Sequence, residues 1–161
     1  MTEAVRPECA PALSVQVRSP HDPDSVALIA EGDAAMLAVY PPEEIFSLTP
    51  EELSAPNVVF LVCHDGDVPV GCVALVDELR YGVIKRLYVR AAARGRGVGR
   101  ALMEEAEAQA RDIGLTLLKL ETGPALEAAV ALYRRIGYAK CGAFGPYPDI
   151  PSNLFMEKRI A

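Results

Sequence analysis

Histidine and cysteine are scarce in this 161-residue chain. His21 and His64 stand with Cys9, Cys63, Cys72 and Cys141, and no C-x-x-C pair occurs. Too few ligands lie at metal-binding spacing, so no metal is expected. The cysteines sit inside apolar segments, which predicts reduced, buried thiols. No apolar run approaches the ~20 residues that cross a bilayer, so no membrane partner is expected. Residues 1–13 lack the basic start and apolar middle of a signal peptide and read as a loose tail. A cytoplasmic location is the corresponding expectation. Neither a repeat nor a linker interrupts the remainder, which predicts one domain over residues 14–161, large enough to bury its own core.

Basic residues are nearly missing from the first half. Residues 1–84 carry 3 basic and 14 acidic side chains, a net of −11, whereas residues 85–161 carry 13 and 8, a net of +5. Six basic residues fall between Lys85 and Arg100 with no acid among them. A short basic stripe on an acidic protein suits a small polyanion, whereas nucleic acid, which calls for a broadly basic face, is not an expected partner. The acidic half suits a cationic partner, and it equally suits a surface kept soluble by charge.

Periodicity and turn signals give the order of elements. Ser14–Arg18 alternates as a strand, and Asp22-Pro23-Asp24 opens a helix expected to reach about Val39 with a break near Gly32. Short helices or turns follow near Pro42–Phe46 and Pro50–Leu53. Asn57–Cys63 and Val68–Val76 read as strands joined by a turn at His64-Asp65-Gly66-Asp67, and Tyr81–Val89 as the next strand. A helix from Val98 to Gly114 carries Val98, Ala101, Leu102, Ala106, Gln109 and Ile113 on its apolar face, with Glu104, Glu105, Glu107, Arg111 and Asp112 opposite. Thr116–Thr122 is a strand. A second helix opened by Gly123-Pro124 presents Leu126, Ala129, Val130, Tyr133 and Ile136, and residues 138–144 and 153–160 close as strands. Three consecutive strands before a helix exclude a doubly wound parallel sheet. They predict an α+β fold: a mixed, largely antiparallel sheet of about seven strands with helices on both faces.

Between the third of those strands and its helix lies Arg94-Gly95-Arg96-Gly97-Val98-Gly99-Arg100. A strand that turns through glycines into a helix presents unpaired N–H groups at the positive end of the helix dipole, a cradle for phosphate. Arginines add donors shaped for phosphate oxygens. The dinucleotide fingerprint G-x-G-x-x-G fails, because Arg100 stands at its third glycine, and a P-loop fails because no Gly-Lys pair occurs.

The string Val89-Arg90-Ala91-Ala92-Ala93-Arg94-Gly95-Arg96-Gly97-Val98-Gly99-Arg100-Ala101-Leu102 resembles the acyl-CoA-binding motif R/Q-x-x-G-x-G/A of the GCN5-related N-acetyltransferase (GNAT) family. Ala129-Val130-Ala131-Leu132-Tyr133-Arg134-Arg135-Ile136-Gly137-Tyr138 resembles its second signature, and Leu120-Glu121-Thr122 and Phe155-Met156-Glu157-Lys158 also fit. The similarity spans about residues 14–160. It implies the acyl-CoA N-acyltransferase fold, acetyl-CoA as cosubstrate and transfer of acetyl to a primary amine. In such a fold the strand before the turn is bulged and diverges from the later parallel strand. The resemblance further implies that the Leu87 backbone holds the acetyl carbonyl and Val89 the pantetheine arm. Backbone N–H groups from Arg94, Gly95, Arg96, Gly97, Val98, Gly99 and Arg100 hold the diphosphate. Tyr133 corresponds to the tyrosine that protonates the departing thiolate, and the competing reading is simple packing on an apolar helix face.

The chain departs from the family pattern twice. Leu126 stands where many relatives have a pantetheine-binding asparagine, and Val83 and Ile84 where they often carry a glutamate base. Glu31, Glu43, Glu44, Glu78 and His64 remain as candidates for the base, with none selected. The acceptor is expected to be a small cationic amine, held by Tyr40 and Tyr147 in the two Tyr-Pro loops through cation–π contacts, or else those rings merely pack. A homodimer is a further option, and an acyl-CoA sensor without turnover or a nucleotide-binding module are the rival classes.

Overall fold

The structure, a computed structural model, describes residues 13–161. The tail expected at residues 1–13, and Cys9 with it, falls outside the described residues except for Leu13, which begins the first strand. The elements run β1 (Leu13–Val17), α1 (Pro23–Leu37), a 3-10 turn (Pro42–Glu44), α2 (Pro50–Leu53), β2 (Val58–Asp65), β3 (Val68–Asp77) and β4 (Gly82–Val89). A second 3-10 turn (Ala91–Ala93) is followed by α3 (Val98–Asp112), β5 (Leu117–Thr122), α4 (Glu127–Arg135), β6 (Ala139–Lys140) and β7 (Leu154–Arg159).

The seven strands form one sheet in the order β1-β2-β3-β4-β5-β7-β6. Every neighbouring pair is antiparallel except β4 with β5. Strands β2 and β3 read as unbroken apolar runs because both faces are covered. Leu61, Cys63, Val73 and Leu75 pack with Leu102, Met103 and Ala106 of α3. Phe60, Val62, Cys72 and Ala74 pack with Leu28 and Ile29 of α1 and Leu53 of α2. Pleat alternation sends successive residues to opposite layers.

Some expectations needed correction. Helix α1 runs through Gly32 unbroken. A Cβ there would make ordinary contact with Tyr88 at 3.6 Å, so neither packing nor backbone conformation requires the glycine. Glu107 is buried rather than solvated, because Lys158 meets it at 2.7 Å, while Ile113 lies exposed. The second helix starts three residues later than its Gly-Pro signal suggested, and β6 shrinks to two residues. Cys63 and Cys72 are buried free thiols, and Cys141 is only partly buried. No helix of the described residues is long and apolar enough to cross a membrane.

Candidate active site

The site begins where the sheet opens. Strand β4 pairs with β5 from Gly82↔Leu118 to Ile84↔Leu120, and the register goes no further. On its other side β4 carries a bulge: Cys72 faces Tyr88 while Ala74 faces Lys85, so Val73 opposes two residues, Arg86 and Leu87. Arg86 adopts φ 61°, a left-handed conformation that costs a non-glycine residue ~1–2 kcal/mol. Its guanidinium offsets that strain. Nε and Nη2 donate to the Leu48 carbonyl at 2.9 and 2.6 Å, and Nη1 donates to Asp33. Leu87 and Val89 therefore lie past the last rung of the parallel pair, along the opening.

The chain leaves β4 through Arg90, whose side chain grips Glu31 of α1 at 2.6 Å and the Pro69 carbonyl at 2.8 Å. That contact, with the Tyr88 hydroxyl, holds the Glu31 carboxyl below the usual carboxylate range. Gly95 at φ 78° and Gly97 at φ 82° then turn the backbone into α3. Both take a conformation that glycine adopts freely, and Cβ atoms there would point into open space. The N–H groups of Gly95, Arg96, Gly97, Val98, Gly99 and Arg100 find no acceptor among the described residues. This row of free donors on an exposed helix start fits a diphosphate. Gly99 serves packing instead, since a Cβ there would come within 2.8 Å of Leu132 in α4.

The arginine side chains are less free than the backbone. Arg96 pairs with Asp65 at 2.6 Å, Arg100 with Glu104 at 3.0 Å, and Arg94 Nε donates to the Val89 carbonyl at 3.4 Å.

At the mouth of the opening lies a cleft of about 120 Å³, lined by Phe46, Lys85, Arg86, Leu87, Glu121 and Tyr133 among others. Lys85 and Glu121 are the first residues beyond the last β4–β5 pair, and Lys85 Nζ stands 3.9 Å from Glu121 Oε2. Lys85 Nζ also donates to the Phe46 carbonyl at 2.6 Å and lies 4.3 Å above the Tyr147 ring. Burial lowers the Lys85 amine to about 8 against the pull of Glu121, and burial raises the Glu121 carboxyl against the pull of Lys85. Tyr133 is 6% exposed and packs edge-on to Tyr138 at 5.9 Å. Burial and then the charge of Glu121 push its phenol up, so it stays protonated.

Of the residues singled out by sequence, Leu87 and Tyr133 meet at this cleft, whereas Val89 and the glycine turn, which follow along the chain, do not line it. The Tyr40 hydroxyl accepts the Ala125 N–H at 3.0 Å and its ring rests on Gly123, so it braces the entry to α4. The cation over Tyr147 is Lys85 of its own chain. Among the candidate bases only Glu44 lines the cleft. Glu31 is bound to Arg90, Glu43 and Glu78 lie exposed, and His64 is partly buried in β2 and reaches Asp24 at 3.2 Å. Sequence reasoning missed Lys85 and Glu121. Their only local signal is charge within apolar strands: Lys85 follows Val83-Ile84 inside β4, and Glu121 follows Leu120 near the end of β5.

Comparison with known proteins agrees with this geometry. The family model described as the acetyltransferase (GNAT) family matches residues 25–138. A protein of Azospirillum brasilense named IAA acetyltransferase is 41% identical over 152 residues, covering 93% of this chain and 99% of that protein. A crystal structure from Klebsiella pneumoniae subsp. pneumoniae MGH 78578, described without an established activity as an acyl-CoA N-acyltransferase, superposes with a TM-score of 0.79. It is 34% identical, covering 93% of this chain and 99% of that one. The PaiA N-acetyltransferase of Thermoplasma acidophilum, solved with coenzyme A, shares the fold at a TM-score of 0.74 and 19% identity, over 92% of this chain and 99% of its own. The opened sheet, the glycine turn and these matches lead to one assignment: the chain belongs to the acetyltransferase (GNAT) family.

Proposed function

We propose that residues 14–161 act as one catalytic unit that moves the acetyl group of acetyl-CoA to the primary amine of a small molecule, cationic in solution, by direct attack. The observation that carries this reading is the convergence of Glu121, Lys85 and Tyr133 at the point where β4 and β5 part. In this reading the free N–H groups from Gly95 to Arg100 hold the diphosphate, and the backbones of Val89 and Leu87 hold the pantetheine arm and the acetyl carbonyl. A fixed donor at that carbonyl stabilises the charge that develops on oxygen, typically the largest contribution in acyl transfer. Glu44 and Glu121 draw the ammonium in, taking the part first expected of Tyr40 and Tyr147.

Glu121 accepts the proton that the amine must lose, in place of the glutamate absent at Val83 and Ile84. Its desolvation makes it a stronger base than an exposed carboxylate. Tyr133 donates to the sulfur as the C–S bond breaks. The same dry surroundings that raise the phenol also raise the proton affinity of a thiolate, which keeps the transfer feasible. A sensor without turnover drew its support from the missing strand glutamate, and Glu121 supplies a carboxylate beside that place.

The test is CoA release from acetyl-CoA across a panel of small amines, peptides and IAA, the last because a relative carries that name. Turnover with a small amine supports the reading, and turnover with peptides alone contradicts the small acceptor. Tyr133→Phe should lower kcat by about 10²–10⁴-fold without weakening CoA binding. A loss of binding instead would assign Tyr133 to packing.

A further inference from the structure

The proposed acceptor is a primary amine brought to this cleft, and the cleft wall already holds one. Lys85 is the lysine among the lining residues. It lies just past the last β4–β5 rung, at the edge of the gap into which the proposed cosubstrate reaches. Its Nζ is held on the acceptor side by two loops: the Phe46 carbonyl accepts from it at 2.6 Å, and the Tyr147 ring covers it at 4.3 Å. A carboxylate, Glu121, stands 3.9 Å away.

We propose that Lys85 is a self-acetylation site: with acetyl-CoA bound and no acceptor present, its Nζ takes the acetyl group. This inference rests on the reading above. The Nζ lone pair attacks the thioester carbonyl, the N–C amide bond forms and the C–S bond breaks. The amine's proton passes to Glu121 and on to water, and the thiolate takes the Tyr133 proton, which the phenol recovers from water. The products are N-acetyl-Lys85 and free CoA, with no change of oxidation state.

Protonation would ordinarily block such a step. With its amine near 8, about a tenth of Lys85 is neutral at pH 7, on the order of 10²-fold more than for an ordinary lysine. The other described lysines lie elsewhere: Lys119 pairs with Glu157 at 3.0 Å, Lys158 with Glu107 at 2.7 Å, and Lys140 is exposed in β6. They serve as internal controls. Acetylation removes the cation from the Tyr147 ring and from Glu121, and adds an acetyl group to a cleft of about 120 Å³. The modified enzyme therefore loses its acceptor site.

The full-length protein is incubated with acetyl-CoA alone at pH 8, digested, and each lysine's acetyl occupancy is read by mass spectrometry. Heat-denatured protein reports the chemical background. The expected result is Lys85 acetylated at least tenfold faster than Lys119, Lys140 and Lys158, suppressed by the amine acceptor and slowed in Tyr133→Phe. Turnover after preincubation should fall in step with occupancy. Lys85→Arg should carry no adduct at that position. Lys85 unmodified, or modified no faster than the control lysines, in protein that releases CoA with an amine overturns this inference alone. If no amine supports CoA release, the catalytic reading itself fails.

Discussion

Burial raises the proton affinity of the Glu121 carboxyl, which suits it to the base role proposed for it. Glu121 follows Leu120, the last residue of β5 paired to β4, and faces Lys85 across the opening. Desolvation raises its carboxyl and Lys85 opposes the rise, with burial the larger effect. A base works only when ionised, so activity should fall as pH drops through that raised value. The kcat/KM profile with an amine acceptor should therefore show an acidic limb above the ordinary ~4.3 of glutamate. Glu121→Gln should remove that limb and lower kcat by about 10²-fold or more while the variant still binds CoA. An unchanged profile in the variant would take the proton route away from Glu121. Lys85 is subject to the opposite sign. Between about 8 and its ordinary value near ~10.4 the unfolded chain holds a proton that the folded chain has released, so its contribution to stability rises with pH.

At the scale of elements, α3 and α4 meet closely at one glycine. Gly99 in the first turn of α3 receives Leu132 of α4, and the residue after Leu132 is Tyr133. The helix start that would hold the diphosphate thus sets the position of the proposed acid. Gly99→Val should lower stability by about 1–3 kcal/mol through overpacking, or several degrees in Tm. It should also reduce kcat, because α4 must move and Tyr133 moves with it. A variant with unchanged Tm and kcat would contradict the coupling. The glycine turn, the hairpin at Gly66-Asp67 and the amphipathic α3 were legible in the sequence, because each rests on local spacing and on glycine's conformational freedom. The break expected at Gly32 was not real: a glycine inside a helix costs only about 1 kcal/mol relative to alanine, which the packing of α1 on the sheet outweighs. Glu107 misled because its burial relies on Lys158, fifty-one residues away, beside Arg111 one turn on in the same helix. The Arg86 bulge and the Lys85–Glu121 pair also depend on contacts between segments far apart in sequence, which periodicity does not report.

The molecule as a whole divides at β4 and β5. Strands β1 to β4 with α1 form one side, β5 to β7 with α4 the other, and the two share only the short parallel pairing from Gly82 to Ile84 within the sheet. A ligand seated in the gap would touch both sides and bind the folded state alone, raising the unfolding temperature with concentration. The charge asymmetry fits the same division of labour: the basic stripe from Lys85 to Arg100 follows the gap and the turn, while the acidic first half supplies Glu31, Asp33 and Asp65 to anchor three of its arginines.

Calorimetric titration of the full-length protein with CoA, against pantetheine as a ligand lacking the diphosphate, tests the role of the turn most directly. Donors free at Gly95 to Arg100 predict saturable heat with CoA at one site per chain and much weaker binding of pantetheine. No measurable heat with millimolar CoA, or equal binding of the two ligands, would contradict it.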